Sequence, residues 1–161
     1  PLCGICPISG SCSSYQTPLV DILPIKSKIV AKKTRYFNYL ILENENNEIY
    51  IEKRSGNDIW KNLYQFFLFE SDKPTAEKEV DMFIENNKNI IKNYTMVSAS
   101  EVSRHVLTHR YIELVFFHFR VSNNTDIRET GLWTPYTELK NYPFPQPILQ
   151  YIQNYFINLP N

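Results

Sequence analysis

Cys3, Cys6 and Cys12 are spaced C-x2-C-x5-C and are the only cysteines in the 161-residue chain. Closely spaced thiolates suit iron and zinc, because one short loop then presents several ligands at little ordering cost. A closed site of either kind usually takes four ligands, so these three form an incomplete set. The spacing alone leaves two readings open: part of a metal or cluster site, or surface thiols on a frayed terminus. Three is an odd count for a disulfide framework, and the cysteines are too local to staple a domain, which points to a reducing, intracellular setting. His105, His109 and His118 show no zinc-ligand spacing. His118 lies in the aromatic run FFHFR and reads as a satisfied, half-buried side chain. Lys26, Lys28, Lys32, Lys33 and Arg35 fall between Ile22 and Leu42 with no acidic residue among them. Such a run is solvated charge, or it contacts phosphates and gives affinity without sequence information.

The elements that must carry these groups are those of one domain plus a tail. The formal net charge is zero, so global charge makes no argument for nucleic acid. No apolar run approaches the roughly 18 residues of a membrane span. Residues 1–14 have neither the basic nor the apolar region of a signal peptide, so a cytoplasmic location is the expectation. Residues 1–14 are a Gly/Ser/Cys-rich loop, and residues 15–34 read as an extended linker without period. Strands are expected at 35–42, 48–54, 63–69 and 111–121, with a hairpin turn at 44–47. Pro74 marks a helix start, with Ala76, Val80, Phe83 and Ile84 on one face. Ile148, Ile152, Tyr155, Phe156 and Leu159 give a closing amphipathic helix. The order is β-β-β-α-β-β-β-α, a mixed α/β domain over 35–161.

LCGICPISGSC (2–12) resembles the last three ligands of the C-x6-C-x2-C-x5-C 4Fe-4S loop of the helix-hairpin-helix DNA glycosylases, including the proline after the second thiol, Pro7. That pattern would place the fourth ligand upstream of Pro1. The long stretch after Cys12 resembles the extension of the adenine DNA glycosylase (MutY) branch. LPIKSKIVAKKTRY (23–36) is similar to that family's interdomain linker. IWKNLYQFF (59–67) resembles its tryptophan- and leucine-bearing segment at Trp60, Leu63, Tyr64 and Phe66, with Phe67 where the family often has proline. LWTPYTELKNYPFP (132–145) resembles its closing stretch. The resemblance implies a Nudix-like fold: a mixed β-sheet flanked by helices, preceded by an extended linker. It divides the chain into a cluster-loop remnant (1–14), a linker (15–34) and a Nudix-like 8-oxoguanine-recognition domain (35–161).

A working Nudix hydrolase needs G-x5-E-x7-R-E-U-x-E-E-x-G-U, whose glutamates hold Mg2+ against a diphosphate. The best register puts Glu70, Lys78, Glu79 and Val80 on that pattern, but Tyr64 and Glu85 at its glycines and Met82 and Phe83 at its paired glutamates. Met and Phe cannot hold a hard cation, so the fold is expected without the pyrophosphatase, with Met82 and Phe83 packed as apolar surface. SRHVLTHRYIEL (103–114) resembles the family's loop that reads 8-oxoguanine, with Leu107 at its phenylalanine, Thr108 at its serine and His109 at its final histidine. On the residues alone, Thr108 and His109 are ordinary turn residues between two strands. 8-Oxoguanine carries a hydrogen on N7 and an oxygen on C8; a threonine hydroxyl can take the N7–H bond, and a backbone N–H or His109 can meet the oxygen. His105 is expected to order the loop.

The resemblance thus implies the C-terminal part of an adenine DNA glycosylase of base excision repair. Its partners would be duplex DNA with 8-oxoguanine opposite adenine and a helix-hairpin-helix catalytic domain of the same protein. The catalytic residues would lie in that domain, none of them in this chain. The fragment alone is expected to be inactive, monomeric, free of membrane, and to hold its cluster incompletely at best. Lys26, Lys28, Lys32, Lys33 and Arg35 are expected as weak phosphate contacts, and the linker aliphatics Ile22, Leu23, Ile25, Ile29 and Val30 as a docking surface. A nucleotide pyrophosphohydrolase and a protein-interaction module for a repair or replication partner are the alternatives.

Overall fold

The computed structural model describes residues 2–17, 19–23, 25, 31–87, 91, 93–122 and 131–157. The chain divides into two compact units, Pro1–Ala31 and Lys32–Asn161. The first holds a helical turn, α1 (Ser13–Gln16). The second contains strands β1 (Lys33–Glu43), β2 (Glu48–Lys53), β3 (Tyr64–Gln65), β4 (Phe67–Ser71), β5 (Tyr94–Ala99), β6 (Ser103–Val106), β7 (Arg110–Val121) and β8 (Gly131–Pro135). Its helices are α2 (Glu77–Asn86) and α3 (Gln146–Ile152). No helix among the described residues is long and apolar enough to cross a membrane.

β1 is aromatic and aliphatic on both sides of its alternation, and Phe37 through Leu42 are all buried, as a central strand covered on two faces requires. It runs parallel to β7, in register from Lys33 opposite Arg110 to Glu43 opposite Arg120. Every other pairing is antiparallel. β4 covers the outer edge of β1 from Tyr36 to Leu40, and β2 takes over at Glu43. β6 and then β5 follow the outer edge of β7. A register shift at Val97 places Met96 opposite Phe119 and Ser98 opposite His118, so successive inward residues of β5 face opposite sides of the sheet.

Each face has its own core. On one, Val80 and Ile84 of α2 bury against Leu40, Leu42, Phe67, Phe117 and Phe119. On the other, Ile148 and Ile152 of α3 bury with Phe37, Tyr39, Ile41, Leu114 and Phe116. Each such side chain is worth about 1.5–3 kcal/mol on burial. Phe116 lies between Tyr39 and Tyr151, with ring centroids 5.6 and 4.0 Å away.

Several expectations change in detail. The run 63–69 is two strands, because the chain leaves β2 for β1 at Phe66, which points into the α3 core while Phe67 points into the α2 core. Pro74 precedes the helix without starting it. α2 begins at Glu77, and the preceding segment is held by Asn38, whose amide donates to Phe69 O, Ser71 Oγ and Thr75 Oγ1 at 3.1 Å each. Ala76 caps the helix without a side-chain acceptor, and Glu79 reaches back to its N–H at 3.1 Å. The closing helix widens into a π turn over Gln153–Ile157, which leaves Tyr155 exposed, whereas Ile148 and Ile152 are buried. Leu159 lies outside the described residues. β1 starts at Lys33, two residues ahead of the expected strand, and the described start of the linker is not extended: α1 is followed by a turn in which Leu23 N–H donates to Leu19 O at 3.0 Å.

Candidate functional site

The β6–β7 connection is a tight hairpin turn. Leu107 N–H donates to Arg110 O at 2.9 Å, leaving Thr108 and His109 as the exposed tip. Three contacts fix the base of this tip. Leu107 is half-buried against the α3 core, so its side chain is an anchor and not an outward wedge. The His105 ring packs on Trp60, 5.9 Å between centroids, and Trp60 meets the buried Phe37 edge-on at 5.9 Å. Lys32 Nζ donates to Leu107 O at 2.8 Å and lies 5.2 Å from the centre of the Tyr111 ring. The His105 ring thus ties the strand that leads into the turn to the loop that carries Trp60.

That loop is in turn tied to the sheet by charge. Asp58 Oδ1 accepts from Arg35 at 2.8 Å, and Asp58 Oδ2 lies 3.1 Å from an Arg54 nitrogen. Glu70 accepts two further bonds from Arg35, one of them at 2.7 Å. The Arg35 bonds hold the Asp58 carboxyl down to about 2 and raise the guanidinium further above its already high value. Arg54 Nε also donates to Ile59 O at 3.0 Å. Trp60 itself has φ 60, a left-handed backbone that a bulky residue adopts only under such constraint.

These contacts sort the expected phosphate-binding cations. Lys26 and Lys28 lie outside the described residues, as do Ile29 and Val30 of the linker. Lys32 is spent on the turn carbonyl, and Arg35 donates to Asp58 and Glu70. Lys33 is exposed at the start of β1, opposite Arg110. Sequence reasoning missed Arg110 as a member of this group. The signal is a cation directly after the turn, but only the parallel β1–β7 pairing brings it to Lys33.

The other candidates lie elsewhere. His118 is buried near the far end of β1, with Nε2 2.9 Å from Glu43 Oε2; burial lowers its pKa. On α2, Phe83 stacks on Phe69 at 4.2 Å, as expected, but Met82 is exposed. Glu79 pairs with Lys73 at 2.7 Å, and Tyr94 donates to Glu85 at 3.3 Å. Neither Met82 nor Phe83 offers the oxygen ligand that Mg2+ requires.

In the first unit, Cys6 N–H donates to Cys3 O, Ser9 N–H to Cys6 O and Cys12 N–H to Ser9 O, a succession of tight turns. The three thiols are free and half-exposed. Their soft chemistry suits iron or zinc, but three are one short of a closed set. Among the described residues, though, no three His, Cys, Asp or Glu side chains converge as a metal-binding group. Ile22, Leu23 and Ile25 are exposed.

Residues 38–154 match the family model described as NUDIX domain. The chain is 25% identical over 160 residues to the adenine DNA glycosylase of Buchnera aphidicola subsp. Schizaphis graminum, a match covering 95% of this chain and 43% of that protein. It therefore spans less than half the length of that relative. Among solved structures, the MutT protein of Methanosarcina mazei Go1 shares the fold at a TM-score of 0.59 and 12% identity, over 78% of this chain and 94% of that one. The C-terminal domain of mouse MUTYH, solved in complex with human PCNA, does so at a TM-score of 0.51 and 8% identity, over 79% and 92%.

Proposed function

The chain belongs to the NUDIX domain family, and from that premise we propose that it reads a damaged base in duplex DNA as part of an adenine DNA glycosylase. In this reading the Thr108–His109 tip contacts 8-oxoguanine opposite adenine. The adenine N-glycosidic bond is hydrolysed by the portion of the whole protein beyond the length matched here. The observation that carries the reading is the tip itself: two exposed polar side chains on a turn anchored by Leu107, His105 and Lys32. Likeness to a protein named adenine DNA glycosylase over 95% of this chain supports the assignment of substrate class.

The chemistry follows from donors and acceptors. Guanine offers an acceptor at N7, and 8-oxoguanine offers a donor there and a new acceptor at C8. The Thr108 hydroxyl accepts the N7–H, while a backbone N–H of the tip or the His109 ring donates to the new oxygen. Undamaged guanine leaves one of these groups unpaired, a penalty of roughly 1–3 kcal/mol. The anchored base of the turn keeps the tip from relaxing to accommodate the wrong base. Cys3, Cys6 and Cys12 would give three thiolates to a 4Fe-4S cluster in the whole protein, completed by a ligand outside this set.

Amide NMR titration with two duplexes, 8-oxoguanine opposite adenine and guanine opposite adenine, tests the reading. Shifts should centre on Leu107–Arg110 and be larger for the lesion. Thr108→Ala should reduce the lesion preference by about 5–30-fold, the equivalent of about 1–2 kcal/mol. Equal shifts for both duplexes, or an unchanged preference in Thr108→Ala, would sink it.

A further inference from the structure

Five arginines fall within the described residues, and four of them meet carboxylates: Arg35 with Asp58 and Glu70, Arg54 with Asp58, Arg104 with Glu113, and Arg120 with Glu43. Arg110 is the exception. Among the described residues it has no carboxylate within ion-pair reach, and it is exposed. Its register partner across the β1–β7 ladder is Lys33, a second exposed cation without such a partner. Neighbouring strands lie about 4.8 Å apart, so the fold roots two cationic side chains side by side. Like charges so placed oppose folding. Among the described residues no carboxylate pairs with either cation, and Asp58 and Glu70 are bound by Arg35, two residues along β1.

We propose that Lys33 and Arg110 form a phosphate clamp that holds a backbone phosphodiester of duplex DNA beside the Thr108–His109 tip. A guanidinium fork and an ammonium together present planar, bidentate donors and a compact point charge, a pairing suited to one tetrahedral anion. The location selects the anion. Arg110 follows His109 directly and closes the hairpin through its own carbonyl, so a phosphate on the clamp sits next to a base at the tip. The alternation of β1 and β7 puts Lys33 and Arg110 on the face that carries Arg35 and Ile112, and His105 pairs with Ile112 on that same face. The clamp and the Trp60–His105 support of the turn therefore share one side of the sheet. It fixes register and orientation without reading sequence, while the tip reads the base. This assignment rests on the tip being the base-reading element.

The test is duplex binding by the 161-residue chain, followed by fluorescence anisotropy across a salt series, for lesion-bearing and undamaged duplexes. Arg110→Gln and Lys33→Gln should each weaken both duplexes roughly 5–10-fold at low salt and flatten the salt slope by about 1, with the lesion preference unchanged. Both variants should melt no lower than the parent, since each relieves repulsion. Lys140→Gln removes the same charge from the turn Tyr136–Asn141 and should change neither slope nor affinity. A slope in Arg110→Gln equal to that of the parent or of Lys140→Gln overturns the clamp. So does a loss confined to binding of a nucleoside triphosphate, which would make the anion a nucleotide's phosphate. Thr108→Ala separates the two claims: it should reduce the lesion preference by about 5–30-fold and keep the slope. A flattened slope in Arg110→Gln with the preference intact in Thr108→Ala would leave the clamp standing and remove the base-reading role.

Discussion

Two rows of cations lie two residues apart on one face of the sheet. The row on Arg35 is closed: its guanidinium meets Asp58 and Glu70, Asp58 also meets Arg54, and both arginines lie over the Phe37 ring, at 4.8 and 5.6 Å from its centre. The row of Lys33 and Arg110 is open, two exposed cations in register with no carboxylate among the described residues. Both rows start from a cation on β1, two residues apart on the same face. What differs is whether the fold supplies the counter-charge. Where it does, the cation fastens a loop, here the one that presents Trp60 to His105. Where it does not, the charge is held in place by backbone pairing alone and remains available to something outside the chain.

The closed row should break first and hardest at its floor. Phe37 is fully buried, edge-on to Tyr39 and Trp60 and beneath both guanidinium groups. Phe37→Ala is expected to cost about 3–5 kcal/mol in urea unfolding. At a temperature where the variant is still folded, the salt slope of duplex binding should persist. A slope that falls with it would mean that the two rows are one unit. Arg35→Ala comes next, with about 2 kcal/mol lost because two partly covered carboxylates are left without their partner. Arg35→Lys should recover only part of that, since an ammonium cannot fork to both Asp58 and Glu70. Full recovery by lysine would reduce the closed row to simple charge.

The contrast between the rows also marks what could be read in the sequence. β1 and β7 were legible because each carries a near-continuous run of aromatic and aliphatic residues, and the 44–47 turn because asparagine can accept from its own neighbours. The Asn44 side chain does so, taking N–H bonds from Asn46 and Glu48 at 3.0 Å each. The break at Phe66 was not legible: both halves are apolar, and only the change of partner strand separates them. The π turn after Ile152 was hidden for a similar reason, since Tyr155 still stacks on Tyr151, 5.1 Å away, and keeps the appearance of a helical period. At the site, the tip Thr108–His109 was legible as a turn. Its anchors were not, because Lys32 to Leu107, Trp60 to His105 and Lys33 beside Arg110 all join residues 45 or more positions apart. The basic run therefore looked uniform, although its described members have three different neighbourhoods.

Acid should loosen the closed row and leave the open one untouched. The Asp58 carboxyl is held at about 2 by the Arg35 hydrogen bond, against 3.8 for a free side chain. Its folded value is the lower one, so below the free value the unfolded chain takes up the proton first. The stabilisation is complete above about 4 and drains away as pH falls toward about 2. Asp58→Asn should be less stable than the parent at neutral pH, and the difference should shrink as pH falls through that window. Urea unfolding of the two proteins at about pH 6 and about pH 3 would measure this. A constant difference would mean that Asp58 acts through shape alone.

The smallest effect is the sharpest, because it converts one row into the other. Lys33→Glu places a carboxylate opposite Arg110 in the same register. If the open row is open only for want of a counter-charge, this change should raise stability by about 0.3–0.5 kcal/mol, the usual scale for an exposed cross-strand pair. It should also weaken duplex binding more than Lys33→Gln does, since the new carboxylate repels phosphate and occupies Arg110. The pairing can be isolated by a double-mutant cycle with Arg110→Gln: the gain should vanish when Arg110 is absent. A gain that survives in Arg110→Gln would mean that the introduced carboxylate is stabilised by something other than its strand partner. A stability loss would mean that Lys33 already meets a counter-charge, and the two rows would then differ in geometry and not in the availability of their charge.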